Sequence, residues 1–177
     1  MTSIFAPVDN YCERIDTGLL GEPLNAITNL SFFISAWFLY RRYRALSLHD
    51  KECQSLVAMV GVVGLGSLAF HTYATYVAMF ADIMPIVLFV CYYLWVSLRR
   101  LLGWTNGKAF AALVVFMLVA AKLLELPPEY NFNGSATYFA CLASVWLIGW
   151  RLRRLMHPAA SAFFKASLWL IASLTFR

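Results

Sequence analysis

The sequence predicts an all-α protein, a multi-span bundle of transmembrane helices, and three observations carry that prediction. Of its 177 residues, 62% are hydrophobic and 13% are charged, whereas soluble domains average about 45–50% apolar and about 25% charged. Six apolar runs recur along the chain, several close to the roughly 20 residues a helix needs to cross a bilayer. The basic residues are clustered: ten of the fourteen Lys and Arg fall in three short groups, each following an apolar run. These groups are Arg41, Arg42, Arg44 and Lys51; Arg99, Arg100 and Lys108; and Arg151, Arg153 and Arg154. The net charge of +5 by itself invites a nucleic-acid partner, but this placement argues against one and matches the charge pattern of membrane loops.

Residues 1–21 are polar and acidic, with Asp9, Glu13 and Asp16, then Glu22 at the edge of the first run. They show no basic segment followed by an apolar core, so they do not read as a signal peptide. The first run spans residues 23–40. Proline suits its first position, and Asn25 and Asn29, four apart, turn one polar face into the bundle. The second run spans residues 55–71 and the third 77–98, ended by Arg99 and Arg100. A turn follows over residues 103–107. The fourth run, 109–126, is stopped by Pro127 and Pro128. The fifth spans 134–150 and the sixth 159–176. Shorter runs extend into interfacial Trp, Tyr and Arg. One domain over residues 1–177 suffices for this length.

Charge sets the expected orientation. The loops after the first, third and fifth runs are basic, whereas the N-terminal segment and the loop carrying Glu125 and Glu129 are acidic. Basic loops stay cytoplasmic, so the N-terminus and the turn between the second and third runs lie outside.

Residues 64–85 place Ser67, His71 and Asp82 in sequence that otherwise reads as lipid-buried. Polar groups at that depth are costly and face a partner or a cavity. Ser67 and His71 share a helix face with Gly64, and the small residues Gly64, Gly66 and Ser67 let a neighbouring helix approach closely. Asp82 lies about as far past the turn as His71 lies before it, so an antiparallel pair brings the two to similar depth. Each residue has a plainer reading. Ser67 can bond the carbonyl one turn back, and His71 can join two helices through a hydrogen bond. The three together suit a catalytic or metal site, because zinc accepts a histidine and a nearby carboxylate while keeping a position open for water. His49 and His157 sit in basic loops on the opposite side.

The segment Asp9, Asn10, Tyr11, Cys12 and Glu13, with Asp16 and Glu22, offers oxygens to a hard cation. On spacing alone the plainer reading, a solvated acidic segment, is favoured, and the spacing is not an EF-hand. Four cysteines, Cys12, Cys53, Cys91 and Cys141, show no CxxC pairing.

Two motifs together resemble the alkaline ceramidases, part of a wider superfamily of seven-helix membrane hydrolases that includes the adiponectin receptors. The first is Cys12 and Glu13, followed by Glu22, Asn25, Thr28 and Asn29. The second is Gly64, Gly66, Ser67, Phe70 and His71, with Asp82 and Pro85 following. The resemblance covers roughly the first half of the chain; the last three runs match only as apolar helices. It implies hydrolysis of the amide of a ceramide-like lipid to a sphingoid base and a fatty acid. In the family His71 corresponds to a zinc ligand, and Ser67 and Asp82 belong to the same catalytic site. Asp82 would take a proton from the attacking water, and Ser67 would help hold the oxyanion. The resemblance also implies a calcium site at Asp9, Asn10, Tyr11, Glu13 and Glu22, although the family's two flanking positions fall here at Asn10 and Ile15.

Family members complete the zinc site with an H-x-x-W-H motif on a seventh helix, and residues 1–177 carry none. The expectation is therefore six visible spans of seven, and a zinc site that these residues leave incomplete. Two other readings share the scaffold: a relative acting on another lipid amide or ester, and a receptor-like or structural membrane protein without turnover.

Overall fold

Each of the six apolar runs is helical. The computed structural model describes residues 3–9, 13–14, 21–47, 49–131 and 135–175, and among these no strand occurs. The helices are α1 (Pro23–Thr28), α2 (Leu30–Ala45), α3 (Lys51–Tyr73), α4 (Tyr76–Arg100), α5 (Asn106–Leu124), α6 (Tyr138–Arg154) and α7 (Ala160–Thr175). The first run holds both α1 and α2, and Asn29 between them keeps right-handed helical angles. Helix α3 begins before its apolar run because Asp50 caps it, accepting from the backbone N–H groups of Glu52 and Cys53. Thr105 does the same for α5 through the N–H of Lys108.

Helices α3, α4 and α5, with 23, 25 and 19 residues and mean hydropathies of 1.8, 2.1 and 2.0, are long and apolar enough to cross a membrane. Helices α2 and α6 are shorter and end in arginine-rich turns; α7 is short and apolar. Burial runs opposite to that of a soluble protein. Phe38, Phe80, Phe110 and Trp169 lie exposed, whereas Glu22, Asn29, Ser67, His71 and Asp82 are buried. Outward apolar and inward polar side chains are what a lipid solvent selects. The chain is a multi-span helical membrane protein.

The chain forms two compact units, residues 1–92 and 93–177. In the first, α1 and α2 pack on α3. A Cβ on Gly64 would lie 2.7 Å from Phe32 Cβ, and one on Gly66 would lie 2.1 Å from the Ala81 carbonyl oxygen. The small residues therefore set the approach of α3 to α2 and to α4, as the sequence predicts. Between α3 and α4 the chain reverses at Ala74, which adopts left-handed angles (φ 41°, ψ 54°). The N-terminal segment straps this turn: Val8 N–H donates to the Ala74 carbonyl at 2.7 Å and Val77 N–H to that of Ile4 at 3.1 Å. Val8 packs there with Phe70 and Ala78.

In the second unit α6 packs on α7 and α5 on α6, around Leu94, Leu98, Ala109, Ile148, Leu152 and Phe163. Three helices end in a tryptophan–arginine pair four residues apart: Arg41 lies 5.2 Å from the Trp37 ring, Arg99 4.5 Å from Trp95, and Arg154 4.4 Å from Trp150. Each pair precedes or opens a basic loop. An aromatic ring with a cation over it suits the headgroup layer, with its apolar body inward and its charge toward water.

These contacts separate two glycines of one helix. Gly66→Ala drives a methyl into backbone, which cannot rotate away, and is expected to cost roughly 1–3 kcal/mol or more. Gly61→Ala, whose Cβ would meet nothing within 4 Å, is expected to be neutral or to stabilise by about 0.5–1 kcal/mol. Thermal melting of the two variants in detergent is the measurement, and equal losses would contradict the α3–α4 contact.

Candidate functional site

The buried face of α3 is the stripe read from the sequence: Val63, Gly64, Gly66, Ser67, Phe70 and His71. Asp82, on α4, is buried too. Its Cα lies 3.2 Å from where a Gly66 Cβ would be, which sets Asp82 level with Gly66 and Ser67. His71 sits about one turn nearer the C-terminal end of α3. The equal depth expected from sequence thus shifts by a turn. The reversal occupies only Ala74 and Thr75, so His71 lies closer to it than Asp82 does.

His71 is held by a carboxylate that sequence reasoning had assigned elsewhere. Its Nδ1 lies 2.5 Å from Glu22 Oε2, across 49 positions of sequence. Glu22 is 1% exposed. Its Oε1 accepts from Arg14 Nε at 2.7 Å, and its Oε2 also accepts from Asn25 Nδ2 at 3.3 Å. Burial alone would raise the carboxyl above its ordinary range; hydrogen bonds from His71, Arg14 and Asn25 outweigh it, and the group is held below that range. Glu22 is therefore ionised at neutral pH, and His71 donates its Nδ1 proton to it. A neutral ring then carries its lone pair on Nε2.

The other residues of the N-terminal acidic group are placed separately. Glu13 caps α1 from outside it: Oε1 accepts from the Leu24 N–H at 2.5 Å and Oε2 from that of Asn25 at 3.0 Å. These are amides of a first helical turn, which lack partners within the helix. Asp9 is exposed. Asn10, Tyr11, Cys12 and Asp16 lie outside the described residues. Asn29 is buried, and its Nδ2 has no hydrogen-bond partner among the described residues. Glu22 meets His71 and Phe32 meets Gly64, so Asn29 falls between these contacts, at about the level of Ser67.

Among the described residues no group of three His, Cys, Asp or Glu side chains is gathered to hold a metal. The surroundings of His71 nevertheless suit one zinc ligand. A carboxylate on one ring nitrogen fixes the tautomer and leaves the other nitrogen as the donor, the usual support of a metal-binding histidine. The surroundings of Glu22 and Glu13 do not suit calcium, since the oxygens of both already face N–H donors.

Sequence reasoning missed Arg14 and the role of Glu22. The available signal was a single arginine within an acidic segment, ahead of a glutamate at the start of an apolar run. A separate apolar groove, lined by Leu98, Trp104, Leu147, Trp150 and Arg151 among others, contains none of these residues.

A family model described as Ceramidase matches residues 8–175. No curated protein and no solved structure matches the chain. The family match runs well beyond the motifs of the first half and takes in α5, α6 and α7. With nearly its whole length matched, and with the typed motif residues lining the buried face of α3 and its contact with α4, the chain belongs to the ceramidase family, hydrolases of the ceramide amide bond.

Proposed function

We propose that the protein hydrolyses the amide bond of ceramide-like lipids to a sphingoid base and a fatty acid, at a zinc site to which His71 contributes one ligand, on the outer side of the membrane. The observation that supports this most directly is the buried carboxylate on His71 Nδ1, which prepares Nε2 to bind a metal. Zinc, when bound, supplies Lewis acidity to the lipid carbonyl and lowers the pKa of a water.

The chain's own residues do the rest. Asp82 accepts the proton of water as its oxygen adds to the carbonyl carbon. Ser67 donates a hydrogen bond from its hydroxyl to the oxygen that becomes negative, keeping its own proton. Asp82 then returns the proton to nitrogen as the carbon–nitrogen bond breaks, leaving an amine and a carboxylic acid. Gly66 seats Asp82 beside Ser67, so both act at one level of the bundle. The apolar surroundings exclude bulk water and strengthen these interactions. The N-terminus and the α3–α4 turn face outside, and the basic loops with their tryptophan–arginine pairs face the cytoplasm.

Release of fatty acid from ceramide by the purified protein in detergent tests the reaction. Asp82→Asn is expected to lower kcat by roughly 10²–10⁴-fold with melting temperature retained; a wild-type rate in that variant would remove Asp82 from its role. Glu22→Gln is expected to weaken zinc binding by about 10–100-fold, read as zinc content against free zinc, and unchanged affinity would argue against the histidine–carboxylate support. For orientation, a cysteine placed at Ser47 is expected to stay unlabelled by an impermeant thiol reagent in intact cells. Labelling there before lysis would invert the topology.

A further inference from the structure

The acidic N-terminal segment reads as a place for a hard cation, and the structure puts a cation there from within the chain. Glu22 is 1% exposed, and a carboxylate buried this deeply is accommodated by a partner charge inside the protein. Arg14, whose side chain is 5% exposed, supplies it through Nε at 2.7 Å from Oε1. The same guanidinium reaches further: its Nη2 donates to the His71 carbonyl oxygen at 3.3 Å. That carbonyl is among the last four of α3, which have no acceptor role inside the helix, and a positive charge at a helix C-terminus is favourable.

We infer that Arg14 is the resident cation of this site, a positioning residue that holds His71 through Glu22 and ties the N-terminal segment to the end of α3 in place of a divalent ion. Calcium takes six to eight oxygen ligands. The two glutamates it would need are already engaged: Glu22 by Arg14, His71 and Asn25, and Glu13 by the first amides of α1. The planar fork of arginine explains why one side chain can serve both a carboxylate and a carbonyl. A lysine carries the charge without that fork.

The test uses the full chain in detergent and needs no turnover. Melting temperature is compared with and without millimolar calcium, and bound calcium is measured by elemental analysis. No shift and no bound calcium are expected, because a ligand that binds the folded state raises its stability. The Nδ1 proton of His71, assigned by its disappearance in His71→Asn, is followed by nitrogen-15 NMR of histidine-labelled protein. It is expected to persist in the wild type, to be lost in Arg14→Gln and to be partly restored in Arg14→Lys. Stoichiometric calcium with a raised melting temperature, or an unchanged His71 signal in Arg14→Gln, overturns the inference. If Arg14→Gln does not fold, Arg14→Lys decides: a lowered melting temperature and a shifted signal support it, and wild-type values for both overturn it. A wild-type protein that cleaves no ceramide removes the proposed reaction and leaves these readouts standing.

Discussion

An ionised carboxylate sealed inside a lipid-facing protein is the constraint around which this fold is arranged. Glu22 cannot stay charged there without partners, and taking one away from a buried pair costs about 3–5 kcal/mol. Its three partners come from the N-terminal segment, from α1 and from α3. Meeting the needs of one side chain therefore brings three pieces of chain together. Pro23, directly after it, begins α1 with a fixed backbone angle, and Glu13 covers the amides that open that helix. The start of the first span is thus oriented by polar contacts on both sides.

Polar contacts matter more here than they would in water. Lipid is as apolar as the helix surfaces, so burying leucine against leucine gains little. What holds α3 to its neighbours is the closeness allowed by Gly64 and Gly66, added to the hydrogen bonds above. The exposed phenylalanines and tryptophans of α2, α4, α5, α6 and α7 are consistent with this, being solvated by acyl chains rather than left over from a failed core. The N-terminal strap across Ala74 belongs to the same scheme, since it gives backbone groups at the reversal the partners they would otherwise lack.

Much of the helical layout was legible because lipid imposes a length and a composition that sequence states directly. Ends were less legible where a cap decides them. Asp50 starts α3 ahead of its apolar run, and Asn29 joins α1 to α2 without a break in composition to mark it. The Ser67 and His71 stripe was legible because four-residue spacing on a helix has one geometric meaning. The partner of His71 was not, since Glu22 lies 49 positions away and local periodicity says nothing about which helices meet. Calcium at Glu22 was an expectation drawn from the family resemblance, since spacing alone reads as a solvated acidic segment. Only the fold shows each carboxylate turned to a different donor. The level of Asp82 was misjudged by a turn because the reversal, confined to Ala74 and Thr75, leaves His71 three residues before it and Asp82 seven after it. The later helices carried no motif to the eye, yet the family match extends through them, which reflects residue preferences spread thinly over many positions.

The close seat of α4 on Gly66 has a bearing on how variants of this protein can be read. The spacing of α3 and α4 is fixed by one main chain lying on another, with the Ala81 carbonyl filling the room a methyl would need. Side chains beside that seat hang from a frame they do not hold up. Exchanging the chemistry of Ser67 or Asp82 leaves the distance between the two helices where it was, so under the proposed mechanism a kinetic change there would report on bonds made and broken. Exchanging Gly66 removes the frame itself, and no rate measured afterwards would refer to the same arrangement of side chains. The protein thus separates into positions that are experiments on mechanism and one that is an experiment on shape.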